Sequence, residues 1–303
     1  MQTFTHIVPE GVSGIRLSDY TACIFPGLET RSGVKKAIKK GEILLEGVPG
    51  TTASIISSGL ALKWNRPEYI PEKVNKLNID VVYEDDYLAI VNKPSGIVVS
   101  GNRFDTLENG LVAHLSKSTQ ENALPVPRAI HRLDSATSGL LIIAKTQSAR
   151  IALGGMLEQK EINKTYQAVV IGETPLRGIF TEPIKGKEAI TRFERMDTVR
   201  SLVSGKLTLL KLYPETGRTH QIRIHLASAG YPILGDKLYG DPGFLLKGKG
   251  LFLCAVEVGF KHPVTNRELT ISIDSPPKFR RFLDGEQRRW EKYSPDNHLL
   301  SGE

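Results

Sequence analysis

One polar stretch of this chain lies directly against a hydrophobic run. It is Arg128-Ala129-Ile130-His131-Arg132-Leu133-Asp134-Ser135-Ala136-Thr137-Ser138-Gly139, followed by Leu140-Leu141-Ile142-Ile143-Ala144. A single Asp among Arg, His, Thr and Ser, anchored to a core strand, is where a positioned carboxylate is expected, fit to serve as nucleophile or base. The other reading is a structural Asp134 that caps its own turn through the backbone. A second stretch, Glu215-Thr216-Gly217-Arg218-Thr219-His220-Gln221-Ile222-Arg223-Ile224-His225-Leu226, supplies cations. Thr219 is the expected cap of a helix over 221–229, in which Ile222, Leu226 and Ala229 fall at i, i+4 and i+7. Arg218 then stands in the loop just before it. Placed beside Asp134, it favours the charged carboxylate; otherwise it forms a surface ion pair of little energetic weight. Third, Lys164-Thr165-Tyr166 opens an apolar strand over 165–171. Tyr166 is either a core aromatic with its hydroxyl at the rim or a flat platform for an unstacked base.

Other chemistries fit less well. His131, Asp134, His220 and His225 are the candidate metal ligands. His220 and His225 are five positions apart and share no helix face, and Arg132, Arg218 and Arg223 crowd any cation. Gly243-Phe244-Leu245-Leu246-Lys247-Gly248-Lys249-Gly250 approaches a phosphate loop but ends in Gly where Ser or Thr would ligate magnesium, and a strand-like run follows. No Gly-x-Ser-x-Gly is present, so an esterase elbow is absent.

The elements that must hold these residues can be read along the chain. Its 303 residues allow a small domain plus a larger one, and 40% hydrophobic content excludes a wholly disordered chain. No apolar stretch approaches a membrane span, and the first ten residues lack a secretory signal. Two cysteines, Cys23 and Cys254, fit a reducing cytoplasm. A net charge of +7 and a pI near 9.3 make a polyanion a reasonable partner. Residues 1–75 read as a small α/β unit. Ser32 is the expected cap of a helix with Val34, Ala37 and Ile38 on one face and Lys35, Lys36, Lys39 and Lys40 on the other, stopped by Gly41. A hairpin follows: strand 43–45, turn 47–50, strand 51–52. The lysines form either a solvated face or, with Arg31, a set of phosphate contacts. Residues 63–78 read as a linker. Over 76–290 strands are expected at 79–84, 87–91, 140–144, 165–171, 207–212, 251–260 and 269–273, with a helix at 148–160. Few helices and no regular beta-alpha alternation predict an α+β fold with a mainly antiparallel mixed sheet. Residues 291–303 read as a tail.

His131-Arg132-Leu133-Asp134-Ser135-Ala136-Thr137-Ser138-Gly139 resembles the signature of the RluA family of pseudouridine synthases. Asn92-Lys93-Pro94-Ser95-Gly96, Lys164-Thr165-Tyr166, Gly217 to Leu226 and Gly235-Asp236-Lys237-Leu238-Tyr239-Gly240 look like further blocks of that family, in the family's order, across roughly 79–275. The basic helix and hairpin at 31–52 look like a small S-four-type RNA-binding domain. The resemblance implies the pseudouridine synthase fold and isomerisation of uridine to pseudouridine in RNA, ribosomal above all and transfer RNA as the alternative, with no metal and no organic cofactor. It makes Asp134 the catalytic carboxylate, Arg218 its ion-pair partner and Tyr166 the surface that stacks on the flipped uracil. It places His131, Arg132 and Arg223 among the RNA contacts with Lys35, Lys36, Lys39 and Lys40; His131 has a loop hydrogen bond as its other role. The partner expected is RNA, not a membrane, and the chain is taken as a monomer. A non-catalytic RNA-binding factor is the competing reading, weakened because Asp134, Tyr166 and Arg218 are all present.

Overall fold

Leu88-Ala89-Ile90-Val91 and Leu140-Leu141-Ile142-Ile143-Ala144 are continuous apolar runs, which a strand tolerates only when both its faces are covered. A computed structural model of the chain meets that condition. It describes residues 2–294 except 23, 26, 27, 29, 68–76, 102, 103, 241 and 243–247.

The N-terminal segment holds β1 (Gln2–Ile7), β2 (Ser13–Arg16), α1 (Leu17–Tyr20), α2 (Arg31–Lys39), β3 (Ile43–Leu45), β4 (Val48–Pro49), β5 (Ile55–Ser57) and β6 (Ala61–Arg66). Four strands form a sheet in the order β1-β6-β3-β4, and β2 pairs with β5. Val34, Ala37 and Ile38 of α2 pack with Leu17, Ile43, Ile56, Leu62 and Trp64 in a core of their own. The helix begins two residues earlier than expected: the Thr30 hydroxyl, not Ser32, accepts the Gly33 N–H at 3.1 Å. Gly41, at φ 71°, ends it as expected. The hairpin turn is tighter than expected. Glu46 and Gly47 both have positive φ (49° and 80°), so β4 begins at Val48 rather than Thr51. Nor does a linker begin at Lys63: β6 pairs with both β1 and β3 through these residues. The rest of that expected linker lies mostly outside the described residues.

The larger segment contains β7 (Asp80–Glu84), β8 (Leu88–Lys93), α3 (Leu107–Leu111), β9 (Ala123–Ala129), β10 (Ser138–Thr146), α4 (Gln147–Glu158) and β11 (Asn163–Ile171). It continues with β12 (Arg177–Phe180), β13 (Thr191–Ser201), β14 (Gly205–Pro214), α5 (Gln221–Ser228), β15 (Leu253–Lys261), β16 (Glu268–Ser272) and α6 (Lys278–Tyr293). Ten strands make one sheet, ordered β12-β13-β14-β11-β15-β10-β8-β7, with β16 on β15 and β9 on β10. The pairings are antiparallel except β10 with β15, which run parallel through Ser138–Cys254 and Gly139–Ala255. Alternate residues of the central strands supply two cores. Ala89, Val91, Leu141 and Ile143 join Ile222 and Leu226 of α5 and Phe279 and Leu283 of α6 on one side. Leu88, Ile90, Leu140 and Ile142 meet Ala149 and Leu153 of α4 on the other.

Five elements here were not anticipated: α3, β9, β12, β13 and α6. The last extends to Tyr293, so the expected tail is helical over its first three residues; positions 295–303 lie outside the described residues.

Candidate active site

Asp134 stands in the short loop that leads from β9 into β10. The loop is closed by the Thr137 N–H donating to the Asp134 carbonyl at 3.0 Å. It is gripped by the segment after β8. The Gly96 N–H donates to the Ser135 carbonyl at 2.7 Å and Ser95 Oγ to the Ala136 carbonyl at 2.7 Å. Lys93 is fully buried, and its Nζ donates to the carbonyls of Pro94, Ile97 and Ser135 at 2.9, 2.9 and 3.2 Å. Burial pushes its pKa down to about 8, against the opposing pull of the Asp134 charge. Gly139 ends the loop at φ 112°, where an added Cβ would lie 2.1 Å from the Ala255 carbonyl oxygen, so no side chain fits.

The Asp134 side chain borders a cleft of about 1020 Å³ lined also by Arg132, Lys164, Tyr166, Arg218, His220 and Arg223. Pockets for small ligands usually span roughly 300–1,000 Å³, so this one has room for a nucleotide and its flanking backbone. Tyr166, on β11, is 9% exposed. Burial and then the Asp134 charge push its hydroxyl pKa up, so the hydroxyl is protonated at neutral pH.

The cation beside Asp134 is Arg223, not Arg218. Arg223 Nη1 lies 3.1 Å from Asp134 Oδ2, while Nε and Nη2 fork onto the two oxygens of Asp236, each at 2.7 Å. The Arg223 and Asp236 side chains are only 5% and 1% exposed. Burial alone would raise the Asp236 carboxyl. The Arg223 hydrogen bonds and charge, with the N–H groups of Leu238 and Tyr239, outweigh burial and hold it below the ordinary range. Arg218 lines the same cleft, but its Nε donates to the Glu188 carbonyl at 2.8 Å and its N–H to Gln221 Oε1 at 3.0 Å. α5 begins at Gln221, as expected. Its N-cap is His220 rather than Thr219. That puts Arg223 inside the first turn on the buried face, and leaves Arg218 tied to the chain between β12 and β13.

Two further expectations change. Arg223, foreseen among the RNA contacts, is instead buried between two carboxylates. His131 Nε2 accepts the Ile142 N–H at 3.3 Å. Burial, reinforced by the Lys164 charge, lowers its pKa to about 3. The ring is neutral and tied to β10, so its geometry fits the loop hydrogen bond and not a phosphate-binding cation. Arg132 is exposed at the cleft, and Lys35, Lys36, Lys39 and Lys40 are exposed on α2, with Lys40 3.8 Å from Glu42. His225, weighed above as a metal ligand, is buried and bonded to Thr191 Oγ1 and the Glu182 carbonyl, both at 3.0 Å.

Sequence reasoning assigned no role to Asp236, Tyr239 or Lys93. The signal for Asp236 was a carboxylate between two glycines of one turn. An added Cβ at Gly235 or Gly240 would meet the carbonyl oxygens of Gly250 or Asp236 at 2.1 and 2.3 Å, so both glycines serve close backbone approach.

The family model for RNA pseudouridylate synthase matches residues 87–228, which include Asp134, Tyr166, Arg218 and Arg223. An uncharacterized RNA pseudouridine synthase of Aquifex aeolicus is 31% identical over 88% of this chain and 92% of its own. Ribosomal large subunit pseudouridine synthase D of Xylella fastidiosa is 32% identical over 86% of this chain and 82% of its own. The solved structure of Human RNA Pseudouridylate Synthase Domain Containing 1 shares the fold, with a TM-score of 0.55 and 24% identity over 69% of this chain and 87% of that one. A cleft lined by an ion-held carboxylate, a buried tyrosine and arginines, on a chain with these relatives, leads to one assignment: the chain belongs to the RNA pseudouridylate synthase family and is an isomerase that converts uridine in RNA to pseudouridine.

Proposed function

We propose that this enzyme modifies uridine in large-subunit ribosomal RNA and that Asp134 is the carboxylate that does the chemistry on a flipped-out nucleotide. The observation that carries the reading is Asp134 at the edge of the cleft, with one oxygen on Arg223 and Tyr166 lining the same space. The names of relatives such as the Xylella fastidiosa enzyme favour ribosomal over transfer RNA as substrate.

Extruding the base costs a few kcal/mol, which stacking on an aromatic side chain and contacts from a basic surface offset. In this reading Tyr166 is that aromatic, and Arg132 fills the vacated stack or contacts phosphate. The glycosidic bond from N1 to C1′ breaks, the uracil turns within the closed cleft, and C5 bonds to C1′. The C5 proton is lost and N1 gains one, so the product is an isomer. Asp134 serves either by attacking C1′ or by removing the C2′ proton. Both routes need a charged carboxylate, and Arg223 supports that charge. The exposed lysines of α2 support an RNA-binding role for the N-terminal segment, of the S-four type.

The test is release of tritium from C5-labelled uridine in ribosomal RNA taken from a strain lacking the gene, with transfer RNA in parallel. Wild type releases tritium from ribosomal RNA. Asp134→Asn releases none and binds the RNA within a few-fold of wild type. A fully active Asp134→Asn protein would refute the assignment of Asp134; release from transfer RNA alone would overturn the substrate.

A further inference from the structure

His220 has a backbone that few non-glycine residues adopt, φ 58° and ψ 20°. Such left-handed conformations persist where the surroundings over-determine them, and they gather at functional sites. The position is also the N-cap of α5, where a side chain ordinarily accepts an N–H of the first turn. His220 makes no such bond. Its ring is used elsewhere. Nδ1 lies 2.9 Å from the Tyr239 hydroxyl, and Nε2 lies 3.6 Å from Asp134 Oδ1. The two rings meet edge to face, 5.6 Å between centroids at 76°.

Asp134 is therefore flanked on both oxygens, Oδ2 by Arg223 and Oδ1 by His220. Both flanking groups are held by one turn. Asp236 forks Arg223 and accepts the Tyr239 N–H at 3.2 Å, and the Arg223 guanidinium lies 5.1 Å from the centre of the Tyr239 ring. The charged and titratable groups around His220 are thus Asp134 from the loop before β10, Arg223 from α5, and Asp236 and Tyr239 from this turn. Tyr166 of β11 lines the same cleft.

The tautomer follows from these contacts. An imidazole nitrogen facing a carboxylate must carry its proton, or two lone pairs confront each other. Nε2 then bears hydrogen, and Nδ1 accepts from the Tyr239 hydroxyl. The 3.6 Å separation is longer than a hydrogen bond, as catalytic contacts in substrate-free enzymes often are.

We infer that His220, with its tautomer locked by Tyr239, is a positioning residue for Asp134: it presents Nε2–H to Oδ1 and fixes the rotation of the carboxylate left free by the single Arg223 contact. This rests on Asp134 being the reacting group.

Asn is the test substitution, because it tolerates the left-handed region and is a favoured N-cap. His220→Asn should keep the thermal midpoint and KM of wild type while kcat falls about 100-fold, the lower end of what a positioned acid–base group contributes. Tyr239→Phe should lower kcat by about tenfold, and the double variant should be no slower than His220→Asn, as for residues that act as one unit. Nitrogen-15 imidazole spectra of the full-length protein should show the Nε2–H form at pH 8. A folded His220→Asn with kcat within twofold of wild type would overturn the inference while Asp134→Asn remained inactive. An Nδ1–H tautomer would overturn it as well. If wild type itself released no tritium, the uridine reading would fail, and the spectra alone would decide whether His220 is set toward Asp134.

Discussion

Two arginines five positions apart differ here in their access to water. Arg223 is nearly dry and holds two carboxylates, whereas Arg218 is half-buried and spends its Nε on a carbonyl. Removing one member of a buried pair leaves the other charge uncompensated, which costs about 3–5 kcal/mol. Arg223→Met should therefore lower the unfolding free energy by about that amount, because Asp236 would be left buried and unpaired, and abolish tritium release. Arg218→Ala should unfold within a few degrees of wild type. Calorimetry and the tritium assay on both variants check this, and the opposite ranking would assign the ion pair to the wrong arginine. The position of Asp134 was legible because its polar loop abuts the apolar run 140–144. Its partner was not. Arg223 lies in the first turn of α5 and Arg218 in the loop before it, and only the folded chain shows which of them reaches Asp134. His131 offers a pH test. Its pKa of about 3 lies below the ordinary value of 6.5. Below pH 6.5 the unfolded chain takes up a proton that the folded ring refuses, so this residue's contribution is lost as pH falls from 6.5 toward 3. His131→Asn retains an acceptor for the Ile142 N–H. The gap in urea midpoint between wild type and this variant should narrow or reverse from pH 7.5 to pH 5; a constant gap would show that His131 titrates normally.

The Asp134 loop depends on how its flanking strands meet their neighbours. Gly139→Ala combines a left-handed φ with a Cβ 2.1 Å from backbone oxygen, and backbone cannot yield as a flexible side chain does. The variant should be the most destabilising single methyl addition near the site, by more than about 3 kcal/mol, with activity lost at temperatures where wild type is folded. Thermal unfolding monitored by circular dichroism measures this, and an unchanged midpoint would mean that β10 and β15 are not this close. Central strands such as β8 and β10 were readable from unbroken apolar runs. β13 was not, although Thr191, Phe193, Val199 and Ser201 are buried and Arg192, Glu194 and Arg200 exposed. The stretch Arg195 to Thr198, which holds the bulge between Arg195 and Asp197, is polar apart from an exposed Met196, and this interrupts the period of two. In α6 the buried Phe279, Leu283 and Glu286 have helical spacing, but the charged residues around them conceal it.

The +7 charge is distributed over a chain that packs around separate N-terminal and C-terminal cores. The described contacts between these parts include a hydrogen bond from Arg66 to the Ala123 carbonyl at 2.6 Å. Replacing Lys35, Lys36, Lys39 and Lys40 by Gln should leave the N-terminal core intact, since Val34, Ala37 and Ile38 do the packing. It should weaken RNA binding across sequences and flatten the salt dependence by about one unit of slope per lost phosphate contact. Filter binding from low to high salt reads this directly, and an unchanged slope would make these lysines a solvated face. The large sheet carries a different lesson. Among the described residues, its two parts, β7 to β10 and β11 to β16, are stitched within the sheet by only Ser138–Cys254 and Gly139–Ala255. Asp134 precedes both strands of that stitch, whereas Tyr166 and Arg223 lie between them in the chain. During synthesis the Asp134 carboxylate is therefore made before its counter-ion, and the two parts of the sheet cannot be joined until β15 has also been made.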